Sequence, residues 1–150
     1  MTRITGHTTS DLSRALGLLE SGGHTCVLCR GSETLTGDAH GVAPLVDWLS
    51  EGVDLAGFSA ADRVVGRAAA LLYVAAGVTA VHALVASEPG LAVLAAHGVE
   101  GHASTVVGAI LDRTRTASCP MEAAVAGIDD PQQAVRILRA AVDSLRKVPS

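Results

Sequence analysis

The chain is poor in aromatic residues, in basic residues and in long apolar runs, and each shortage excludes a class of protein. Its 150 residues contain one Trp, one Tyr and one Phe, so the aromatic platforms on which single-stranded bases stack are missing. Acidic residues outnumber basic ones by 15 to 11, and the net charge is −4. Nucleic acids and anionic membranes require a basic surface. We therefore expect neither of these as a partner.

No apolar run reaches the ~20 residues that a membrane-spanning helix requires. Arg63, Arg67 and His82 interrupt the best candidate, and the N-terminal stretch MTRITGHTTSDL lacks the apolar centre of a signal peptide. The cysteines number three, an odd count that fits reduced thiols better than a disulfide framework. Together these features predict a cytoplasmic protein with free thiols.

Aliphatic residues, by contrast, are abundant. Hydrophobic residues make up 49% of the chain, and a chain of this length buries roughly two-thirds of its unfolded surface. That is enough for one core and too little for two. Residues 1–150 are therefore predicted to form a single domain.

Helix and strand signals alternate along this domain. A first helix is predicted from Ser10 or Asp11 to the Gly22-Gly23 pair, followed by a β-hairpin over residues 24–36. The other predicted helices cover residues 41–52, 59–77, 87–98, a short stretch from 119, and 130–147, and the other predicted strands cover residues 80–86 and 99–104. Residues 105–118 carry no decisive signal. The resulting order, α-β-β-α-α-β-α-β-α-α, is typical of an α/β fold.

The longest predicted helix, which lies within the stretch 58–78, carries one polar stripe. The stripe follows the spacing of a single helical face and consists of Ser59, Asp62, Arg63, Gly66 and Arg67. A helix this apolar must be buried on most sides, so the stripe is expected to meet a ligand, a charged loop or another subunit. A glycine inside a helix costs roughly 1 kcal/mol relative to alanine, which indicates that the backbone or a ligand approaches Gly66 closely.

Asp62 allows two interpretations. Ser59-x-x-Asp62 has the form of a capping box, in which each side chain accepts a hydrogen bond from the backbone amide of the other residue. Alternatively, the free amides of a helix start, together with Arg63 and Arg67, hold an anionic ligand. The first interpretation leaves the two arginines without a role.

The cysteines give one candidate nucleophile and no metal site. Cys26 and Cys29 have C-x-x-C spacing, but residues three apart on a strand face opposite sides, so both are predicted to be buried small hydrophobes. The histidines show no pair at helical ligand spacing, and we expect neither zinc nor another cofactor. Cys119 precedes Pro120 at a predicted helix start, where the positive end of the helix favours the reactive thiolate.

Three blocks of sequence, GFSAADRVVGRAAALL, VHALVASEPGLAVLAAHGV and SCPMEAAVAGIDDP, resemble in this order a small prokaryotic family, domain-of-unknown-function family eighteen ninety-three. The resemblance covers the chain from Asp11 to Val142. It implies a three-layer, cytidine deaminase-like α/β fold, with a mixed sheet that opens with a hairpin and carries helices on both faces. The family has no established activity, so the resemblance implies a fold rather than a function.

Cytidine deaminases bind a catalytic zinc ion through His-Ala-Glu and Pro-Cys-x-x-Cys motifs at two successive helix starts. The resemblance places these motifs at residues 59–62 and 87–92, where no cysteine or histidine is present, so zinc-dependent deamination is not expected. In that fold the two helix starts face each other. The resemblance therefore implies one pocket lined by Ser59, Asp62, Arg63, Ser87 and Glu88, with Arg67 one turn deeper.

Three hypotheses follow for the function. The first is a metal-free domain, or an enzyme of undefined reaction, that binds a small polar or nucleotide-like ligand in this pocket. The second is a thiol-dependent enzyme in which Cys119 is the nucleophile and Glu88 or Asp62 handles the proton. The third is a structural subunit of a homo-oligomer, with the polar stripe as its interface.

Overall fold

A five-stranded sheet forms the centre of the molecule, whose computed structural model describes residues 2–111 and 119–147. The strands are β1 (Cys26–Arg30), β2 (Glu33–Gly37), β3 (Ser59–Val65), β4 (Ala80–Ser87) and β5 (Glu100–Val107), in the order β2-β1-β3-β4-β5. β1 is antiparallel to β2 and β3, whereas β3, β4 and β5 are mutually parallel. The predicted mixed sheet with its N-terminal hairpin is confirmed.

Helices cover both faces of this sheet. They are α1 (Thr2–Ser21), α2 (Ala43–Ser50), α3 (Arg67–Ala76), α4 (Glu88–Ala96), α5 (Pro120–Ala124) and α6 (Pro131–Lys147). α1 packs on one face through Ala15 and Leu19. The larger core lies on the other face, beneath α2, α3 and α4, and α6 packs against α2 and α3. Within the described ranges, no helix combines the length and apolarity needed to cross a membrane.

The structure contradicts the helix predicted over residues 58–78, because Ser59–Val65 form a strand and the helix starts at Arg67. β3 lies between β1 and β4, and Ala60 and Ala61 are fully buried in the two separate cores on its opposite faces. A strand that is covered on both faces shows no polar–apolar alternation, so its apolar run also fits a helical period. The helix start at residue 59 and the Ser59–Asp62 capping box are therefore wrong.

The other predicted elements are confirmed, with shifted ends. Gly77 ends α3 in the left-handed conformation, at φ 80°, which a residue with a side chain rarely adopts. α1 begins well before the predicted Ser10 or Asp11, at Thr2. Of the undecided stretch, residues 105–107 complete β5, and residues 112–118 lie outside the described residues.

Candidate functional site

Asp62 and Arg63 point to opposite faces of the sheet, because they are neighbours on β3 rather than on a helix. Arg63 donates from Nε to the carbonyl oxygen of His24 at 2.7 Å, and from Nη2 to that of Leu19 at 3.2 Å and that of Gly22 at 3.4 Å. These carbonyls belong to the C-terminal end of α1 and the residues that follow it. Arg63 thus binds the negative end of the α1 dipole.

Asp62 lies in the larger core, where its partner is Tyr73 of α3. The Tyr73 hydroxyl donates to Asp62 Oδ2 at 2.6 Å, and the Val64 amide donates to Oδ1 at 3.3 Å. Burial raises the pKa of Asp62 to about 7, although the hydrogen bonds from Tyr73 and from the backbone act in the opposite direction. Cys26 is the register partner of Asp62 on β1. The pKa of the Cys26 thiol is raised, mainly by burial and secondly by the Asp62 carboxylate.

A carboxylate from α5 occupies the start of α3. Glu122 Oε1 accepts from the Arg67 amide and Oε2 from the Ala68 amide, both at 2.7 Å. A Cβ atom at Gly66 would overlap this carboxylate, so the glycine marks a close approach, as the sequence indicates. The approaching group is part of the protein itself. The anion-binding helix start was predicted at residue 59, whereas the helix starts at Arg67, and there the chain's own Glu122 binds the first amides.

The Arg67 side chain completes a reciprocal contact between α3 and α5. It donates to the carbonyl oxygens of Val125 and Ile128, just beyond the end of α5, and its Nη2 lies 2.7 Å from Asp129 Oδ1. α3 therefore contacts this segment in two ways. Its first backbone amides bind Glu122, and the side chain of Arg67 binds the residues that follow α5.

The three remaining residues of the predicted pocket lie at other places in the fold. Ser59 is fully buried at the beginning of β3. The Ser87 hydroxyl caps α4 by accepting from the Gly90 amide at 3.0 Å, and Glu88, the first residue of α4, is exposed. Since Asp62 and Arg63 face opposite sides, the predicted residues do not surround one pocket.

The cysteines lie as the strand geometry predicts. Cys26 belongs to the larger core and Cys29 to the core beneath α1, and both are buried free thiols. Cys119 directly precedes α5, and its thiol is only partly buried. The predicted position of Cys119 at a helix start is therefore confirmed.

A cavity of about 790 Å³, which we call the α2–α5 cavity, opens where α2 and α5 begin. Its described lining consists of residues 40–43 before and in α2, residues 119–121 at the start of α5, Val142, Leu145 and Arg146 of α6, and Leu111. The lining is mostly apolar, and Cys119 is the one predicted site residue in its described part. His40 and Arg146 also reach it. Neither was predicted from the sequence, because His40 precedes a helix without a motif and Arg146 resembles any exposed helical arginine.

The positions compared with the deaminase zinc motifs also need correction. The helix after the hairpin is α2, and the next helix is α3. α2 starts after residues 40–42, which include His40, and residues 66–69 at the start of α3 contain no cysteine or histidine. Across residues 2–111 and 119–147, no three His, Cys, Asp or Glu side chains are grouped so that they could hold a metal ion.

The molecule is a three-layer α/β domain, because its mixed sheet contains a hairpin and carries helices on both faces. Residues 14–142 match the family model described as TM1506, a domain of unknown function (DUF1893), and the chain belongs to this family. A comparison with proteins of curated function finds no match.

Solved structures that resemble the molecule include the following two. A DUF1893 family protein from Thermotoga maritima superimposes with a TM-score of 0.79 at 24% identity, covering 88% of this chain and 90% of that chain. This similarity confirms the fold. The diaminohydroxyphosphoribosylaminopyrimidine deaminase/5-amino-6-(5-phosphoribosylamino)uracil reductase from the same organism gives a TM-score of 0.42 at 14% identity, covering 65% of this chain and 36% of that chain.

Proposed function

We propose that this domain binds a small organic molecule in the α2–α5 cavity. The observation that supports the proposal is the cavity itself. Its volume of about 790 Å³ falls in the range of roughly 300–1,000 Å³ that is typical of ligand sites. A mostly apolar lining with a few polar side chains at defined positions is also typical of such sites.

The exposed apolar side chains at the cavity support the same proposal. Leu111 and Leu145 are 47% and 55% exposed, and both line the cavity. Large apolar side chains that are exposed side by side favour a binding surface over a surface that remains in water. A ligand in the cavity would cover both leucines.

The sequence predicted a ligand pocket between two helix starts. The proposed site also lies between two helix starts, but they are those of α2 and α5. The residue before α2, Val42, provides no side-chain cap, whereas Glu122 caps α3 and Ser87 caps α4. Val42 thus offers no side-chain acceptor to the first amides of α2. The nucleotide-like character of the ligand and the homo-oligomeric state stay predictions. The subunit interface expected along the polar stripe loses its basis, because the stripe is not one surface.

A thermal-shift screen tests the proposal, with AMP, other nucleotides and nucleosides, common cofactors and small amphiphilic acids as probes. A probe at 100 times its dissociation constant adds about 2.7 kcal/mol of apparent stability. Leu145→Ser should weaken the binding of any hit, whereas Leu18→Ser, the same change at an exposed leucine of α1, should not. The proposal fails if no probe stabilises the protein or if the two variants respond alike.

Cys119 provides a second measurement on the same site. A bound probe should slow the alkylation of Cys119 by iodoacetamide, since the thiol borders the cavity. A probe that stabilises the protein without protecting Cys119 binds elsewhere and contradicts the proposed location.

A second candidate function is a thiol-dependent enzyme with Cys119 as its nucleophile. It is favoured by the presence of His40 in the same cavity, where an imidazole could accept the thiol proton. His40 takes the part that the sequence assigned to Glu88 or Asp62, neither of which belongs to the described lining of this cavity. His40→Gln should then slow the alkylation of Cys119. Equal rates in the two proteins across pH 6–8.5 would reject this function.

A further inference from the structure

We infer that the ligand of the α2–α5 cavity is an amphiphile with an apolar body and one carboxylate group, which Arg146 binds. The inference rests on the proposed function and specifies the chemical class of the ligand.

The charge of the described lining is opposite to that of the whole chain. The chain has 15 acidic and 11 basic residues, yet the described lining of the cavity includes one arginine, one histidine and no acidic residue. Arg146 is paired with Asp47, which lies outside the described lining, but no described acidic residue lines the cavity itself. This favours an anionic over a cationic group on the ligand, because a matching charge improves both the rate of encounter and the orientation in the site.

The lining offers few hydrogen-bonding side chains. Only His40, Cys119 and Arg146 carry polar side-chain atoms among the described lining residues. A nucleotide would bring many donors and acceptors into a site whose described side chains could pair few of them, and each unpaired polar group weakens binding. An alkyl or aryl body with a single charged end matches this lining better.

Arg146 presents the right geometry for a carboxylate. Its Nη1 and Nη2 donate to Oδ1 and Oδ2 of Asp47, each at 2.8 Å, so the guanidinium already forms a bidentate pair with one carboxylate. A guanidinium has five N–H donors, and the contacts with Asp47 leave others for a second anion. The side chains of Arg146 and Asp47 are 49% and 40% exposed. A pair this exposed is held weakly, so Arg146 can turn toward a ligand at little cost.

Calorimetric titration of the full chain at low ionic strength tests the inference with three probes: decanoate, its neutral match 1-decanol, and AMP. Decanoate should bind at least about tenfold more tightly than 1-decanol, the ratio expected for one charge-assisted contact. Arg146→Gln should remove this difference, and Arg139→Gln, an exposed arginine of the same helix outside the lining, should preserve it. Asp47→Asn should strengthen decanoate binding, since it removes the competing carboxylate.

The outcomes separate this inference from the proposed function. If decanoate and 1-decanol bind equally, or if Arg146→Gln leaves their ratio unchanged, the cavity binds apolar molecules and the carboxylate inference is overturned. If AMP binds in the cavity and decanoate does not, the proposed function stands and the inference fails. If no probe binds in either this titration or the screen, both fail.

Discussion

The hydroxyl group of Tyr73 donates a hydrogen bond of 2.6 Å to the buried carboxylate of Asp62. This contact joins α3 to the central strand inside the larger core. Burial is the main reason why the pKa of Asp62 is raised from 3.8 to about 7. The folded protein therefore holds a proton at Asp62 that the unfolded chain releases near pH 4.

The first prediction is that stability decreases between about pH 4 and pH 7. The pKa of Asp62 is higher in the folded protein than in the unfolded chain. Its contribution to the free energy of unfolding is therefore fully present below pH 4 and is lost as the pH rises through 7. The slope reaches at most about 1.4 kcal/mol per pH unit. Urea unfolding at several pH values measures it. His82, whose pKa burial lowers, acts in the opposite direction near pH 6.

Variants of Asp62 and Tyr73 isolate the contribution of this pair. Asp62→Asn should remove the decrease and be more stable than the natural protein above pH 7. Tyr73→Phe removes the donor that lowers the pKa of Asp62, so the decrease should still begin near pH 4 but continue to higher pH. A slope that is unchanged in Asp62→Asn would show that other groups cause it.

The second prediction concerns the contact between Glu122 and the start of α3. Glu122→Ala removes the acceptor of two backbone amides and should cost about 2 kcal/mol of unfolding free energy. Glu51→Ala, at an exposed residue after α2, is the matched control. Chemical denaturation measures both variants.

A double-mutant cycle tests why residue 66 is a glycine. Gly66→Ala should be destabilising because its Cβ overlaps the Glu122 carboxylate. The same change should be less destabilising when combined with Glu122→Ala, since the overlap with the Glu122 carboxylate is then gone, although a close contact with the Ile110 side chain remains. If the effects of the two substitutions on the free energy of unfolding are strictly additive, Glu122 is not the reason why residue 66 is a glycine.

The third prediction is that Arg63 stabilises the end of α1 and does not bind the ligand. Arg63→Gln should lower stability by about 1–3 kcal/mol, because the guanidinium donates to three carbonyl oxygens. Amide hydrogen exchange should accelerate in the last turn of α1. Probe affinity at the α2–α5 cavity should not change. A loss of affinity at unchanged stability would restore the ligand-binding role predicted from the sequence.

The fourth prediction is that Cys119 is the most reactive thiol of the native protein. Cys26 and Cys29 are 3% and 0% exposed, whereas Cys119 borders an open cavity. Limited alkylation with iodoacetamide at pH 7, followed by peptide mapping, should label Cys119 first, and Cys119→Ser should remain unlabelled until it unfolds. Early labelling of Cys26 or Cys29 would contradict the buried positions of these thiols.

Most of the fold could be predicted from the sequence, because turn residues and helix ends give local signals. The Gly31-Ser32 turn, Gly77 and Pro131 each lie at the element boundary that they indicate. The central strand could not be predicted. Ala60 and Ala61 face two different cores, and only the tertiary arrangement distinguishes such a strand from a buried helix.

The candidate site could be predicted only in part, because long-range contacts determine it. Gly66 signalled a close approach, but Glu122, which makes the approach, lies more than fifty residues further along the chain. Cys119 carried a local signal in the proline that follows it. His40 and Arg146 carried none, because the arrangement of α2, α5 and α6 alone brings them to one cavity.

The distance in sequence between Arg67 and Glu122 also bears on the order in which the protein assembles during translation. All five strands and α3 have been synthesised before Glu122 leaves the ribosome. A nascent chain that ends before α5 therefore holds the whole sheet, yet two amides at the start of α3 lack their acceptor. A residue synthesised after the whole sheet thus completes the start of α3, so a chain that ends before Glu122 should have a less stable α3.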